Sequence, residues 1–225
     1  KRQYMNWQLT TQISEYRSEL EQLLTQLPMG GSQYQKFWWD DRLRRPACEF
    51  VPIDDILLPF VATSFYTSPR VTHVLHLTRM EFDRRTKSGL YREVEVGDPE
   101  SVERTSAALA NDKVEGKDGE AYDEDGLRDL YEIHAYADIE GDYASYIITI
   151  DAFSEKVLAI YRNWDEQDPT QQKLDWLVEW KFIPWRGAYA IGLPHLIGGL
   201  SGAATGALRA LLDSAHIANA PTVMK

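Results

Sequence analysis

Two histidines three residues apart, His73 and His76, are the first side chains whose types suggest chemistry. They sit in "RVTHVLHLT", residues 70–78, which alternates well enough for a strand. Residues three apart on a strand point to opposite faces, so the pair cannot close on one metal ion, and no third His or acid follows at ligand spacing. The acidic run "YDEDG", residues 122–126, lacks the alternating D-x-D-x-D-G order and later Glu of a calcium loop. Asp118, Glu120, Asp123 and Asp125 therefore read as a solvated acidic loop. Asp54 with Asp55, or Glu132 with Asp138, could be posed as acid–base carboxylates. With 35 acids in the chain, such pairs arise by chance. The sequence has no G-x-S-x-G, no Walker loop and no H-E-x-x-H, and Gly198, Gly199 and Gly202 lack the dinucleotide spacing. The chain is expected to carry no catalytic site, no cofactor and no metal.

Aromatic and small residues are the stronger signals. Among seven tryptophans, Trp164, Trp176, Trp180 and Trp185 crowd around the third and fourth of the C-terminal strand patterns. Stacking on sugar or single-stranded bases is one use for them. Packing in a core or against a docked protein partner is the favoured one, because Trp supplies large area at little entropic cost. Further on, Gly187 to Leu208 is free of formal charge, and steps of four join Gly198, Gly202, Gly206 and Ala210. Six glycines, with Pro194, His195, Ser201 and Thr205, leave that segment too weakly apolar for a membrane span. As a helix in water it is poor, each interior Gly costing about 0.8–1.0 kcal/mol relative to Ala. A ridge of small residues lets helix backbones approach closely, and that requires a partner, in the same chain or in a neighbouring copy.

The elements that would hold these residues make an α+β chain. Leu9, Ile13, Tyr16, Leu20, Leu23, Leu24 and Leu27 predict one amphipathic helix over 7–27, ended by Pro28-Met29-Gly30-Gly31. The following aromatic and proline-rich stretch, residues 34–60, reads as irregular and packed, with a short helix or turn near 54–60. Thr78 and Glu81 predict a capping box that opens a helix through Ser88, with Gly89 just past its end. Residues 97–126 hold ten acids and three bases, a loop or linker with a short helix possible over 100–110. Runs over 131–139, 145–150, 157–164 and 177–183 predict an antiparallel meander of four strands. The lone Cys48 excludes an internal disulfide. A formal net charge of −11 argues against broad nucleic-acid binding through a basic surface.

Two blocks carry a family resemblance. "WKFIPWRGAYAIGLPHLIGGLSGAATGALRALLDSAHIANAP", residues 180–221, resembles the part of podovirus-type tailed-bacteriophage portal proteins in which a β-rich unit runs through an aromatic and proline turn into a long helix. That helix ends in R-x-L-[LI]-D and a small-residue tail, matched by Arg209 to Asp213 and by Ala218-Asn219-Ala220. "FVPIDDILLPFVATSFYTSPRVTHVLHLTRMEFDRRTKSGLYRE", residues 50–93, is similar to the same proteins in its V-P-x-D-D, R-V-T-H and S-G-x-Y steps. Together the blocks cover about 85 of the 225 residues.

The resemblance implies a homo-oligomeric ring, usually a dodecamer, at one capsid vertex of a virion. Double-stranded DNA would pass through its channel during packaging and ejection. Its partners would be a terminase motor that hydrolyses ATP, a tail adaptor, and capsid and scaffold proteins. By position, residues 1–96 would be wing-like, 97–126 an acidic linker or short stem segment, 127–183 a β-rich clip-like unit, and 184–225 a stem or channel-side helix. Lys1 in place of Met, and the absence of whatever follows the last helix in these portals, make a piece of a longer chain the expectation. Arg209, the one Lys or Arg between Gly187 and Met224, would pair with Asp213 of a neighbour, with Asp213 of its own helix, or with DNA. Two rival readings are another ring-forming viral head–tail adaptor, and a Trp-rich β domain that binds glycan or nucleotide through Trp176 and Trp180.

Overall fold

A computed structural model describes residues 1–97, 127–139, 141 and 143–219. The described residues contain four α-helices and two antiparallel sheets, an α+β class, and neither sheet closes into a barrel. The chain divides into two compact units. The first comprises residues 1–53, 63–65 and 176–225, and the second comprises residues 54–62 and 66–175.

The first unit opens with α1 (Arg2–Trp7), a π-helical turn (Gln8–Gln12) and α2 (Tyr16–Gly30). The expected single helix over 7–27 is thus interrupted at Ile13, whose backbone leaves the helical region at φ −96°, ψ 86°. Ile13 is buried, and so is Leu23 in the middle of α2. Pro28 does not end α2. It lies inside the last turn, where its missing N–H forfeits a single bond and its fixed φ suits a helix. The helix stops at Gly31, whose φ of +81° few side chains tolerate and whose N–H still reaches the Leu27 carbonyl at 2.9 Å.

Strands β1 (Ser32–Asp40) and β2 (Arg45–Val51) follow as a hairpin, where an irregular segment was expected. Two features hid it: consecutive tryptophans blur the alternation, and Pro46 looks like a breaker. Pro46 is tolerated because β2 is an edge strand. That edge is held by α2: Glu19 accepts the Phe50 N–H at 2.7 Å, and Glu15 pairs with Arg45 at 2.7 Å. The Arg45 hydrogen bond holds the Glu15 carboxyl below its usual range. Strand β1 is central, flanked on its other side by a strand from far along the chain, Leu177–Lys181.

The second unit is a five-stranded sheet in the order β3 (Ile56–Leu57), β4 (Arg70–Leu77), β5 (Arg128–Asp138), β6 (Tyr143–Asp151), β7 (Val157–Arg162). A 3₁₀ turn, Ile53–Asp55, leads into β3 where a helix or turn was expected. Helix α3 (Arg79–Lys87) leaves β4 as predicted. Thr78 accepts the Glu81 N–H at 3.3 Å, and Gly89 takes φ +80° just past the C-terminus. The Glu81 carboxylate is engaged by Arg84 and Arg85. Leu77, Phe82, Tyr91, Leu130 and Leu158 form the core between helix and sheet.

The strands pair differently from the predicted meander. Leu177–Lys181, here β8, belongs to the three-stranded sheet beside β1, and the place beside β5 is taken by β4. Strand patterns adjacent in sequence were assumed to be adjacent in space, and β8 is the exception. The helix considered over 100–110 and the acidic candidates Asp118, Glu120, Asp123 and Asp125 lie outside the described residues.

A buried ion pair organises the second unit. Arg128, at the start of β5, donates to Asp151 at 2.8 Å, stacks 5.1 Å over the Phe82 ring, and donates to the Gly97 carbonyl. Asp151 also accepts from the Ser154 amide and hydroxyl, which closes the β6–β7 turn. Burial raises the Asp151 pKa, but the bonds from Ser154 and Arg128 outweigh it, and the carboxyl is held below its ordinary value of 3.8. Its contribution is present above that value and is lost as the pH falls through the lower folded-state value. Replacing one partner leaves a buried charge uncompensated. Asp151→Ala is therefore expected to lower stability by about 3–5 kcal/mol at neutral pH, read from the urea midpoint. The difference from wild type should shrink in acid, once Asp151 is protonated in both states.

Candidate functional site: a helix rooted at one end

The uncharged segment singled out in the sequence folds as α4 (Leu193–Asn219), a helix of 27 residues. Its root is tightly built. Ile191 N–H bonds the Ile183 carbonyl at 3.0 Å, Ala190 N–H bonds the buried Ser32 hydroxyl at 2.8 Å, and Phe182 N–H bonds the Gly31 carbonyl at 2.8 Å. Gly192 lies against the last turn of α2, so close that a Cβ there would come within 2.5 Å of the Met29 carbonyl oxygen. His195 Nδ1 accepts the Gly192 N–H at 3.3 Å across the first turn.

Beyond that root the helix is exposed on every side. Each residue from Leu193 to Ile217 is exposed, including Leu200 at 73%, Leu211 at 67% and Ile217 at 77%. A Cβ added at Gly198, Gly199, Gly202 or Gly206 would meet nothing within 4 Å. The small ridge therefore has no partner among the described residues of this chain. No helix of the described residues is long and apolar enough to cross a membrane.

The two kinds of side chain lie on opposite sides of α4. At about 100° per residue, Gly202 is nine residues, or two and a half turns, from both Leu193 and Leu211. Gly198, Gly206, Arg209 and Asp213 share the glycine side, while Ala210 has drifted towards its margin. Leu193, Ile197, Leu200, Ala204, Leu208, Leu211 and Ala215 form the other side, spaced 4-3-4-4-3-4. That eleven-residue repeat nearly matches the helix period, so the stripe runs straight along it. Arg209 and Asp213 form no ion pair among the described residues, although i,i+4 spacing within one helix would allow it.

The four tryptophans are not brought together as one site. Trp164 belongs to the five-stranded unit, packed edge-on against Tyr146 at 5.2 Å with the Arg162 guanidinium 6.0 Å over it. Trp176, Trp180 and Trp185 belong to the other unit. Trp176, just before β8, and Trp180, within it, are half-buried, the Trp176 carbonyl taking the Phe37 N–H at 2.8 Å. Trp185, after Pro184, is 64% exposed and is the one of the four placed to meet a partner.

Sequence reasoning missed a cluster around the histidines. His73 is buried and His76 exposed, as opposite faces require. His76 bridges two carboxylates, Asp129 at 2.6 Å and Asp55 at 3.3 Å. Asp129 arrives from β5 across the sheet, 53 residues away, so no local spacing could reveal it. On the other side, Glu132 bonds His134 at 2.9 Å and lies 4.0 Å from His73. The described residues contain no group of three His, Cys, Asp or Glu that could hold a metal ion. Cys48 is buried, and burial pushes its thiol up to about 11, which makes it a poor nucleophile at neutral pH. The hydrogen bonds that the ring donates to Asp129 and then to Asp55 push His76 up to about 10, so it is a fixed cation rather than an acid–base group near neutrality.

Two outcomes follow from this geometry. The stabilisation from charged His76 should be fully present below the ordinary value of about 6.5, decline above it and be gone by about 10. Imidazole proton NMR should accordingly show no His76 step near pH 6.5. Separately, Gly202→Ala in the unassembled chain should stabilise α4 by about 0.8–1.0 kcal/mol, because nothing opposes the added methyl. Hydrogen exchange of the α4 amides reads this directly, and faster exchange in the variant would mean that the ridge already packs within the chain.

Compared with known proteins, the chain matches no protein-family model and no curated protein.

Proposed function

We propose that the chain is a structural subunit of a ring-shaped viral portal, the channel through which double-stranded DNA is packaged and ejected at one capsid vertex. The observation that carries this reading is α4, well rooted in its unit yet exposed from Leu193 to Ile217. A helix with several glycines and its leucines in water gains little from its own sequence, and most helical stability in proteins comes from packing. Assembly of copies is the simplest source of that packing, and the sequence resemblance in residues 50–93 and 180–221 gives the assembly its kind.

The chemistry of the chain suits such a role. A DNA conduit must not grip its cargo, since each Lys or Arg on a phosphate adds affinity and slows sliding. The net charge of −11 and a long helix with Arg209 as its single Lys or Arg fit that requirement. The fixed His76–aspartate cluster and the inert Cys48 offer no reactive group, and the terminase motor would supply ATP hydrolysis from outside. Exposed Trp185, beside the root of α4, is the aromatic best placed for a docking protein.

Negative-stain microscopy of the full-length protein tests the reading. The expected result is a hollow ring of about twelve copies with a central channel. Monomers or closed dimers under capsid-assembly conditions would overturn it.

A further inference from the structure

We propose that the ring is joined through α4 by a head-to-tail contact in which the leucine ridge of one copy enters the glycine groove of the next; this rests on the ring reading above. The ridge is the row Leu196, Leu200, Ala204, Leu208, at steps of four, and the groove is the parallel row Gly198, Gly202, Gly206. The two rows occupy opposite sides of one helix at the same height. The large residues stand in solvent, and the small ones have open space above them.

The occupant of each face is a second copy for three reasons. First, the faces are complementary to each other in shape: a row of branched side chains matches a row with no side chains, and both follow the four-residue inclination. Such rows interdigitate at a crossing of about −50°. Second, the facing stretches are uncharged from Leu193 to Leu208, so the contact desolvates no ion. The pair Arg209 and Asp213 lies beyond it, where crossed helices have separated and both charges stay hydrated or meet a neighbour's opposite charge. Third, a two-fold dimer cannot satisfy the helix. Leucine face on leucine face leaves the groove open, and groove on groove leaves the leucines in water. A heterologous contact uses both faces of every copy, and such contacts close into rings when the rotation permits.

Cysteine pairing separates these arrangements. Leu200→Cys and Gly202→Cys both fall at exposed positions free of tertiary contacts, and the native Cys48 is buried, so neither variant should disturb folding. Each full-length variant is oxidised alone and in an equal mixture, and an unoxidised aliquot of each is imaged for rings. The expected result is a disulfide-linked dimer in the mixture at least ten-fold above either variant alone. The double variant should give a ladder of covalent multimers. Self-linkage of Leu200→Cys, or of Gly202→Cys, at a level equal to the mixture overturns the head-to-tail pairing in favour of a two-fold one. Rings without linkage in any sample also overturn the pairing and leave the portal reading standing. Absence of both rings and linkage overturns the portal reading itself, and the pairing falls with it.

Discussion

The close approach of two backbones at Gly31 and Gly192 is the constraint on which the first unit depends. A Cβ on Gly31 would lie 2.6 Å from the Ala190 carbonyl oxygen and 2.7 Å from the Gly192 nitrogen, and one on Gly192 would strike the Met29 and Pro28 carbonyls. Only glycine lets the end of α2, the start of β1 and the start of α4 meet at one point. The hydrogen bonds of Phe182, Ala190 and Ile191 then fasten the chain leaving β8 to the same place. The N–H groups of Gly31, Phe182, Ala190, Ile191 and Gly192 at this junction each have an acceptor, as buried backbone requires. The direction of a 27-residue helix is thus fixed by a handful of atoms at its base.

The second unit rests on a different device. Its sheet is local in part, β5 to β7 being successive antiparallel strands, but β4 joins β5 across residues 98–126. The Arg128 guanidinium ties the beginning of β5 to the β6–β7 turn through Asp151, and to Gly97, 31 residues earlier in the chain. Fully desolvated carboxylates are costly unless matched, and this one is matched three times over. His76 repeats the logic at the surface, holding one residue of the turn before β3 and one of β5 with a single ring. Charge in this unit secures connections between distant segments more than it decorates the exterior.

What could be read from sequence was what is local. The strand at 70–77, the Thr78 cap, Gly89 and the long helix from 193 each depend on residues within a few positions, and each is found where the pattern places it. The β1–β2 hairpin escaped because its alternation is masked by Trp38-Trp39 and because Pro46 is harmless only on an edge, a property of the sheet rather than of the chain. The return of β8 to β1 escaped because nothing in Leu177–Lys181 names its partner. The Asp55–His76–Asp129 cluster was invisible for the same reason. The glycine ladder was legible as a surface needing a partner, while the leucine stripe behind it acquired meaning only when the whole helix proved exposed.

That exposure constrains what kind of protein this is. Burying each exposed Leu or Ile side chain of α4 is worth about 1.5–3 kcal/mol, and α4 offers Leu196, Ile197, Leu200, Leu208, Leu211, Leu212 and Ile217. A sum of that order is comparable with the stability of a whole domain, so leaving it unused would be a large waste of folding free energy and an aggregation hazard. A surface helix of an isolated domain usually confines its apolar residues to the face it buries and makes the rest polar and charged. Here Arg209 and Asp213 are the only formally charged residues between Leu193 and Asn219. From Gly198 to Gly206 the side opposite the leucines is neither charged nor bulky, but pared down to glycine. A helix needing solubility would carry Lys and Glu there. One needing two neighbours at once would look like this one.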